Sequence, residues 1–223
     1  DSIMADKVLC NNKKLVLIQN YFFNHMCLNC LNSFIKNYDW YEKTYVKGEV
    51  DFNEKIFLKD LNIVLKGSMK IAKVMENGLE ILYDIVEEKS CFGFASVYES
   101  IKLEGLYAEA MKDSCIFCIN YCEFEKIIKE NPIFFKKFMI FQEYRLLFFI
   151  RRFENSFITS PYEKLTYFFN YSKQLNVFEI KMQKTHLANY LNIGRASLYR
   201  ELNKMHEENI IKLCDNKILI LNT

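Results

Sequence analysis

The chain has 223 residues, half of them hydrophobic, with 20 Phe and 14 Tyr against only 6 Gly and 2 Pro. That excludes a linker-rich or disordered chain and provides for a sizeable core in one large domain or two ordinary ones. The net charge of +2 conceals an uneven distribution, because residues 160–223 hold nine Lys/Arg against six Asp/Glu while the preceding part holds 21 against 22.

No stretch reaches the roughly 18 uncharged apolar residues of a membrane span. The opening DSIMADKV mixes its charges and leads into no apolar run, so it lacks a signal-peptide layout, and Met4 is expected to be the natural start. Eight cysteines without secretory targeting point to free thiols in a reducing compartment, the cytoplasm.

The first forty residues read as helix, since NKKLVLIQNYFF and MCLNCLNSFIKNY repeat apolar residues every three to four positions. From Trp40 the period falls to two. Leu61, Ile63 and Leu65 alternate with Asn62, Val64 and Lys66, and two further runs flank Asn77-Gly78, a hairpin dipeptide that tolerates positive φ at both residues. Strands continue through EGLYAEAM and SCIFCINYC to about Tyr121, which predicts a small antiparallel barrel or roll.

EFEKIIKEN then reads as a short helix ending at Asn131-Pro132, and Pro132 suits the first turn of the next one. From there to about Ser156 nothing breaks the chain, giving a helix of about 36 Å at about 1.5 Å per residue. Phe135, Met139, Gln142, Leu146, Phe149, Phe153 and Ser156 recur at alternating spacings of four and three, a heptad seam. The other face carries Phe138, Phe141 and Phe148, so this helix needs cover on two sides: its own domain and a partner helix in a parallel homodimer. Ser160-Pro161 ends it, and a domain boundary is expected near Thr159.

The last segment holds the densest pattern. Lys184–Leu191 reads as two helical turns with Leu187, Ala188 and Leu191 on one side; Asn192 tolerates the left-handed conformation of a sharp turn; Ile193 plugs the corner. A second helix from about Arg195 to His206 has Leu198, Leu202 and Met205 on one face and Ala196, Tyr199, Arg200 and Asn203 on the other, with Arg195 in its first turn. Between Lys181 and Lys204 the charges are five basic to one acidic, the footprint of a polyanion partner. NIIKLCDNKILIL adds strand, turn at Asp215-Asn216, and strand, which makes the unit a winged helix-turn-helix with a recognition helix.

Helices, β-roll, long helix and winged helix-turn-helix, in that order over nearly the whole chain, resemble the cyclic-AMP receptor protein and fumarate-nitrate reductase regulator (CRP/FNR) family of bacterial transcription regulators. KGEVDFNE with LNIVLKGSMKI resembles the opening strands of that family's sensor roll, and NIGRASLYREL lies where the family carries its recognition helix. The resemblance implies an α+β fold: a sensor β-roll with N-terminal helices over 1–131, a dimerisation helix over 132–159 and a DNA-binding winged helix-turn-helix over 160–223. It implies a homodimer on double-stranded operator DNA, contacting RNA polymerase if it activates. Carried over by position, Arg195, Ala196, Tyr199 and Arg200 face the operator. Lys184, Thr185, Ser197, Asn203 and Lys204 complete the DNA-binding set, with Lys181, Lys184 and Lys204 on phosphates, where affinity falls with salt. Ala196 stands where well-known members carry a base-reading glutamate, so a different half-site is expected. Glu201 stands where many such motifs bury an aliphatic side chain.

The family's cyclic-AMP binders use a Gly-Glu pair and, some ten residues on, an Arg beside a small residue. Here Gly93 is followed by Phe94, Glu104-Gly105 falls where the Arg should be, and no arginine precedes Arg145. A lysine cannot supply the bidentate fork that grips a cyclic phosphate. A cyclic-AMP site is therefore not expected. An apolar or aromatic effector near Phe94, Tyr98, Leu106 and Tyr107 and a roll simply filled by those side chains both fit. Cys27 and Cys30, at helical spacing with His25 and Cys10 nearby, are candidates for a Zn or iron–sulfur site, for thiol sensing, or for small buried hydrophobes, whereas Cys115 and Cys118 point to opposite faces of a strand. No cofactor is assigned. A ligand-binding or interaction module without DNA binding is the rival class. An enzyme is not expected, for lack of a glycine-rich phosphate loop, a nucleophile elbow or an HExxH pair.

Overall fold

The computed structural model describes residues 9–51, 60–93, 105–174, 176–180, 183–214 and 217–221. These fall into two compact units, Asp1–Gln142 and Glu143–Thr223.

In the first unit, α1 (Asn11–Leu17) and α2 (Leu28–Asn37) are two short helices, one in each of the two stretches whose periodicity reads as helical. Asn20 divides them. Its buried side chain accepts the Phe22 N–H at 2.9 Å and donates to the Lys89 carbonyl at 2.8 Å, a local bonding pattern that competes with helix.

Two four-stranded antiparallel sheets follow. One has the order β1-β8-β3-β6, from Tyr41–Tyr45, Ser114–Ile119, Leu61–Lys66 and Cys91–Gly93. The other is β2-β7-β4-β5, from Val50–Asp51, Leu106–Ala110, Ser68–Val74 and Glu80–Glu87. They share an apolar interior of Val64, Phe92, Ile116 and Cys118 from the first and Met69, Ile71, Val86, Leu106, Ala108 and Ala110 from the second. The outer face of the first sheet (Leu61, Ile63, Leu65, Phe117 and Ile119) packs on Phe22, Phe23, Leu31, Phe34, Phe124 and Phe134. Sandwiched on both sides, β8 is buried at every position and β3 at its first five, so the visible alternation there separates two cores rather than core from solvent.

Helix α3 (Tyr121–Glu130) is capped by the Asn120 side chain, which accepts the Glu123 N–H at 2.9 Å. Helix α4 (Pro132–Phe157) runs unbroken for 26 residues. Early in it, Phe134 lies in the core and Phe138 and Phe141 pack against that core.

In the second unit, α5 (Pro161–Gln174), α6 (Lys184–Leu191) and α7 (Arg195–Glu207) enclose a core of Leu165, Phe169, Leu187, Ala188, Leu191, Ile193, Leu198, Leu202 and Met205. Strands β10 (Ile211–Cys214) and β11 (Lys217–Ile220) pair antiparallel as the expected wing, and β9 (Glu179–Ile180), not foreseen, adds a third strand to β11. The wing's turn, Asp215-Asn216, lies outside the described residues. Within this unit the rear of α4 packs through Phe148 on Tyr190 (centroids 5.9 Å) and Arg152 over the same ring at 4.6 Å.

Candidate nucleic-acid interface

The turn between α6 and α7 depends on Asn192, which sits in the left-handed region (φ 50°, ψ 56°) and returns its N–H to the Asn189 carbonyl. Ile193 follows, buried, with its N–H on the Ala188 carbonyl at 2.9 Å. A second device holds the corner. Lys164 of α5 is only 6% exposed, and its ammonium donates to the carbonyls of Leu191 (3.1 Å) and Asn192 (3.3 Å), the open C-terminal end of α6. A cation there satisfies two helix-end acceptors and complements the negative end of the helix. Asn155, itself buried, donates to the Lys164 carbonyl at 3.0 Å.

So anchored, α7 buries Leu198, Leu202 and Met205 and turns Arg195, Ala196, Tyr199, Arg200, Asn203 and Lys204 outward. Ser197 is half-buried, as are Lys184 and Thr185 at the start of α6. The Lys184 ammonium stands 5.3 Å over the Tyr199 ring, which joins the two helices across one exposed face. Lys204 reaches back over Tyr162 at 4.8 Å, and Tyr162 donates to Glu208 at 2.8 Å. Gly194 is the N-cap of α7 and supplies no side-chain cap, so the first-turn N–H groups beside Arg195 stay available to an anion. Lys181 lies outside the described residues.

Glu201 departs from the aliphatic residue common at its position, and the structure gives the reason it can be held there. Its side chain is 12% exposed and accepts Arg200 Nε–H at 2.9 Å, while the Arg200 side chain is 70% exposed. The bond uses Nε and leaves the terminal nitrogens of the guanidinium for another acceptor.

The roll residues fare differently. Phe94 and Tyr98 lie outside the described residues. Leu106 belongs to the shared interior, but Tyr107, next on the same strand, points the other way, hydrogen-bonded to Glu80 and lying under the Lys70 ammonium at 5.3 Å. The expected joint lining by Leu106 and Tyr107 is therefore corrected by the period of two along a strand. Gly93 has φ 120°, and a Cβ there would lie 1.8 Å from the Asp60 carbonyl oxygen, so its place is a close backbone crossing. Tyr41 donates to Asp60 at 2.7 Å and Tyr45 to Asp51 at 2.8 Å, and burial followed by these carboxylate bonds holds both phenols well above the usual tyrosine range.

Of the seam, Phe135, Met139, Leu146, Phe149 and Phe153 are 42–64% exposed and Gln142 is half-buried. Cys27 and Cys30 are exposed at the start of α2. Among the described residues no cluster of three or more His, Cys, Asp or Glu could hold a metal ion, and no helix is long and apolar enough to cross a membrane.

Residues 42–131 match the cyclic nucleotide-binding domain family, and residues 163–223 match the Crp-like helix-turn-helix domain family. In that order the two domains define the class, and the chain belongs to the CRP/FNR family of transcription regulators, with a DNA-binding helix-turn-helix. No curated protein matches it by sequence. By structure it is similar to FixK2 from Bradyrhizobium japonicum (17% identity, TM-score 0.62, covering 82% of this chain and 93% of that one). It is also similar to a mutant of CooA from Carboxydothermus hydrogenoformans (15%, 0.65, 82% and 84%). A third is CLP, a c-di-GMP responsive global regulator from Xanthomonas campestris (13%, 0.59, 82% and 95%). At these identities the likeness is one of fold.

Proposed function

We propose that the chain is a homodimeric, cytoplasmic, non-enzymatic regulator that reads an operator of two half-sites. The observation that carries this is the division of α7. Its apolar face is wholly committed to the core, and its opposite face offers Arg195, Ala196, Tyr199, Arg200 and Asn203 to a major groove. Lys184, Thr185, Ser197 and Lys204 flank that face as phosphate contacts. The roll of 1–131 serves as sensor, the helix of 132–159 as dimer seam and 160–223 as reader. The seam reading is supported by the row of exposed Phe135, Met139, Leu146, Phe149 and Phe153, which with Ile133, Leu147, Ile150 and Phe157 leaves apolar surface uncovered along a helix whose Phe134, Phe138 and Phe141 are taken up by the core of the first unit. Parallel pairing there presents two copies of α7, and a separation of about 34 Å matches one turn of duplex. RNA polymerase is the further partner if the bound dimer activates.

The roll is proposed not to be a cyclic-AMP site. The chain carries Phe94 in place of the ribose-binding glutamate and no arginine before Arg145, and the described interior is apolar. CLP, with the same fold, responds to c-di-GMP, so the fold leaves effector chemistry open; an apolar ligand is what this lining would accept.

The test is selection of the full-length chain on a randomised duplex pool, alongside Phe149→Glu. The expected outcome is enrichment of an inverted repeat, retention that falls steeply with salt, and loss of both the repeat and the dimer mass by light scattering in Phe149→Glu. No retention at low salt would overturn the DNA reading; a dimeric Phe149→Glu protein would overturn the seam.

A further inference from the structure

Two of the eight cysteines differ from the others in their geometry. Cys27 is the N-cap of α2, in extended backbone (φ −77°, ψ 166°), and its sulfur accepts the Cys30 N–H at 3.3 Å. The Cys30 sulfur, in the first turn, lies 3.1 Å from that of Cys27, and both side chains are exposed. By contrast, Cys115 and Cys118 are buried, and burial pushes the Cys118 thiol up to about 12. Cys10 is exposed and is itself the N-cap of α1 (φ −66°, ψ 154°), but its sulfur accepts no cap bond; Cys122 is exposed, and Cys91 and Cys214 are half-buried.

The cap bond, which the Cys10 sulfur does not make, decides which sulfur reacts. A sulfur at a helix N-terminus faces first-turn N–H groups and the positive end of the helix, both of which favour its anion. Cys27 is held below the ordinary thiol value, first by the hydrogen bond from the Cys30 side chain and then by the Cys30 N–H. That same side-chain bond, followed by the charge of Cys27, pushes Cys30 up. One sulfur is thus prepared as thiolate and the other kept as thiol, in contact.

We propose that Cys27 and Cys30 form a thiol–disulfide exchange site, with Cys27 the attacking sulfur and Cys30 the resolving one, whose co-reactant is a small, exposed disulfide of a low-molecular-weight thiol. The Cys27 thiolate attacks one sulfur of the disulfide; a mixed disulfide forms and one small thiolate leaves, taking up a proton. Cys30 then loses its proton and attacks the Cys27 sulfur, the Cys27–Cys30 bond forms, and the second small thiolate leaves and is protonated. Two cysteine thiols are oxidised and one disulfide is reduced to two thiols. Oxidation exchanges an anionic helix cap for a neutral one. The helix it caps carries Phe34, whose ring stacks on Phe134 near the start of α4 (centroids 5.5 Å, 13°), so the change is made about two turns (from Cys27) and about one turn (from Cys30) before a contact of the long helix. The site does not depend on the DNA reading.

The experiment uses the full-length chain and peptide mass spectrometry, with Cys10 and Cys122 as internal exposed references. At neutral pH, Cys27 should be alkylated by iodoacetamide severalfold faster than either reference. Incubation with oxidised glutathione should make the peptide holding both cysteines lighter by two hydrogens, and dithiothreitol should restore it. Cys30→Ser should stop at one glutathione on Cys27. Cys27→Ser, which places a favoured N-cap residue in the same position and so keeps the helix, should leave Cys30 no more modified than Cys10. Separate adducts on Cys27 and Cys30 without an internal bond would overturn the exchange site, and alkylation of Cys27 no faster than Cys10 would overturn its role as the attacking sulfur.

Discussion

The winged-helix unit and the roll carry their candidate sites in opposite ways. On α7 the side chains that hold the fold and those offered to a partner lie on opposite faces of one helix: Leu198, Leu202 and Met205 inside, Arg195, Tyr199 and Arg200 outside. In the roll the residues that would line a ligand site (Met69, Ile71, Leu106 and Ala108 among them) are the ones that join the two sheets. The first site can change its chemistry while its unit stays folded. The second cannot, because there a change of lining is also a change of core.

Two truncations put that contrast at risk, and they carry the largest expected effects. Leu198→Ala removes a fully buried side chain from the winged-helix core and should cost about 2–5 kcal/mol, read by urea or calorimetry as a weakened second unit. Met69→Ala should cost a similar amount in the roll, about 2–5 kcal/mol, since Met69 is equally buried. A roll that loses less than about 0.5 kcal/mol with Met69→Ala would have space where a core is claimed, and the two sites would then be of one kind.

Much of this was legible from period and punctuation. The switch from a spacing of three or four to a spacing of two at Trp40, the turn at Asn77-Gly78 and the left-handed Asn192 all depend on neighbours in the chain, and all appear where expected. What depended on distant partners was hidden. The order β1-β8-β3-β6 brings strands together from opposite ends of the roll, and β9 gains its meaning only by pairing with β11. Leu106 and Tyr107 are adjacent and apolar, so residue type alone could not assign them to different faces; the strand's alternation does. Glu201 stood out as an anomaly, but its bond to Arg200 could not be read from the string.

Lys164 is the clearest case, and it ranks next in expected effect. Within PYEKLTYFF it reads as a solvated lysine beside the core residues Leu165 and Phe169. Its burial follows from the two α6-end carbonyls it satisfies, a requirement set 27 and 28 residues further on. Lys164→Met keeps the apolar stem and removes the donor, leaving the buried Leu191 carbonyl unpaired at about 1–3 kcal/mol, with the part-buried Asn192 carbonyl beside it. The loss should appear in the stability of the second unit, and an unchanged urea midpoint would show that water serves those carbonyls as well as the ammonium does.

Arg200→Ala has the smallest expected effect on folding and the sharpest on function. The side chain is 70% exposed and its Nε–H bonds to its neighbour Glu201, so stability should stay within about 0.5 kcal/mol of the parent. If the guanidinium reads a base, discrimination between the selected operator and a variant at one position should fall by about 1–3 kcal/mol, with other positions unaffected. Lys184→Ala is the companion: as a phosphate contact it should weaken binding to all sequences alike and reduce the salt slope by about 1. Two outcomes would dissolve the separation of core from reading face. An Arg200→Ala protein that unfolds would make Arg200 part of the structure, with Glu201 beneath it. One that binds all sequences equally less well, as Lys184→Ala should, would make it a backbone contact, and the task of choosing bases would pass to Arg195 and Tyr199.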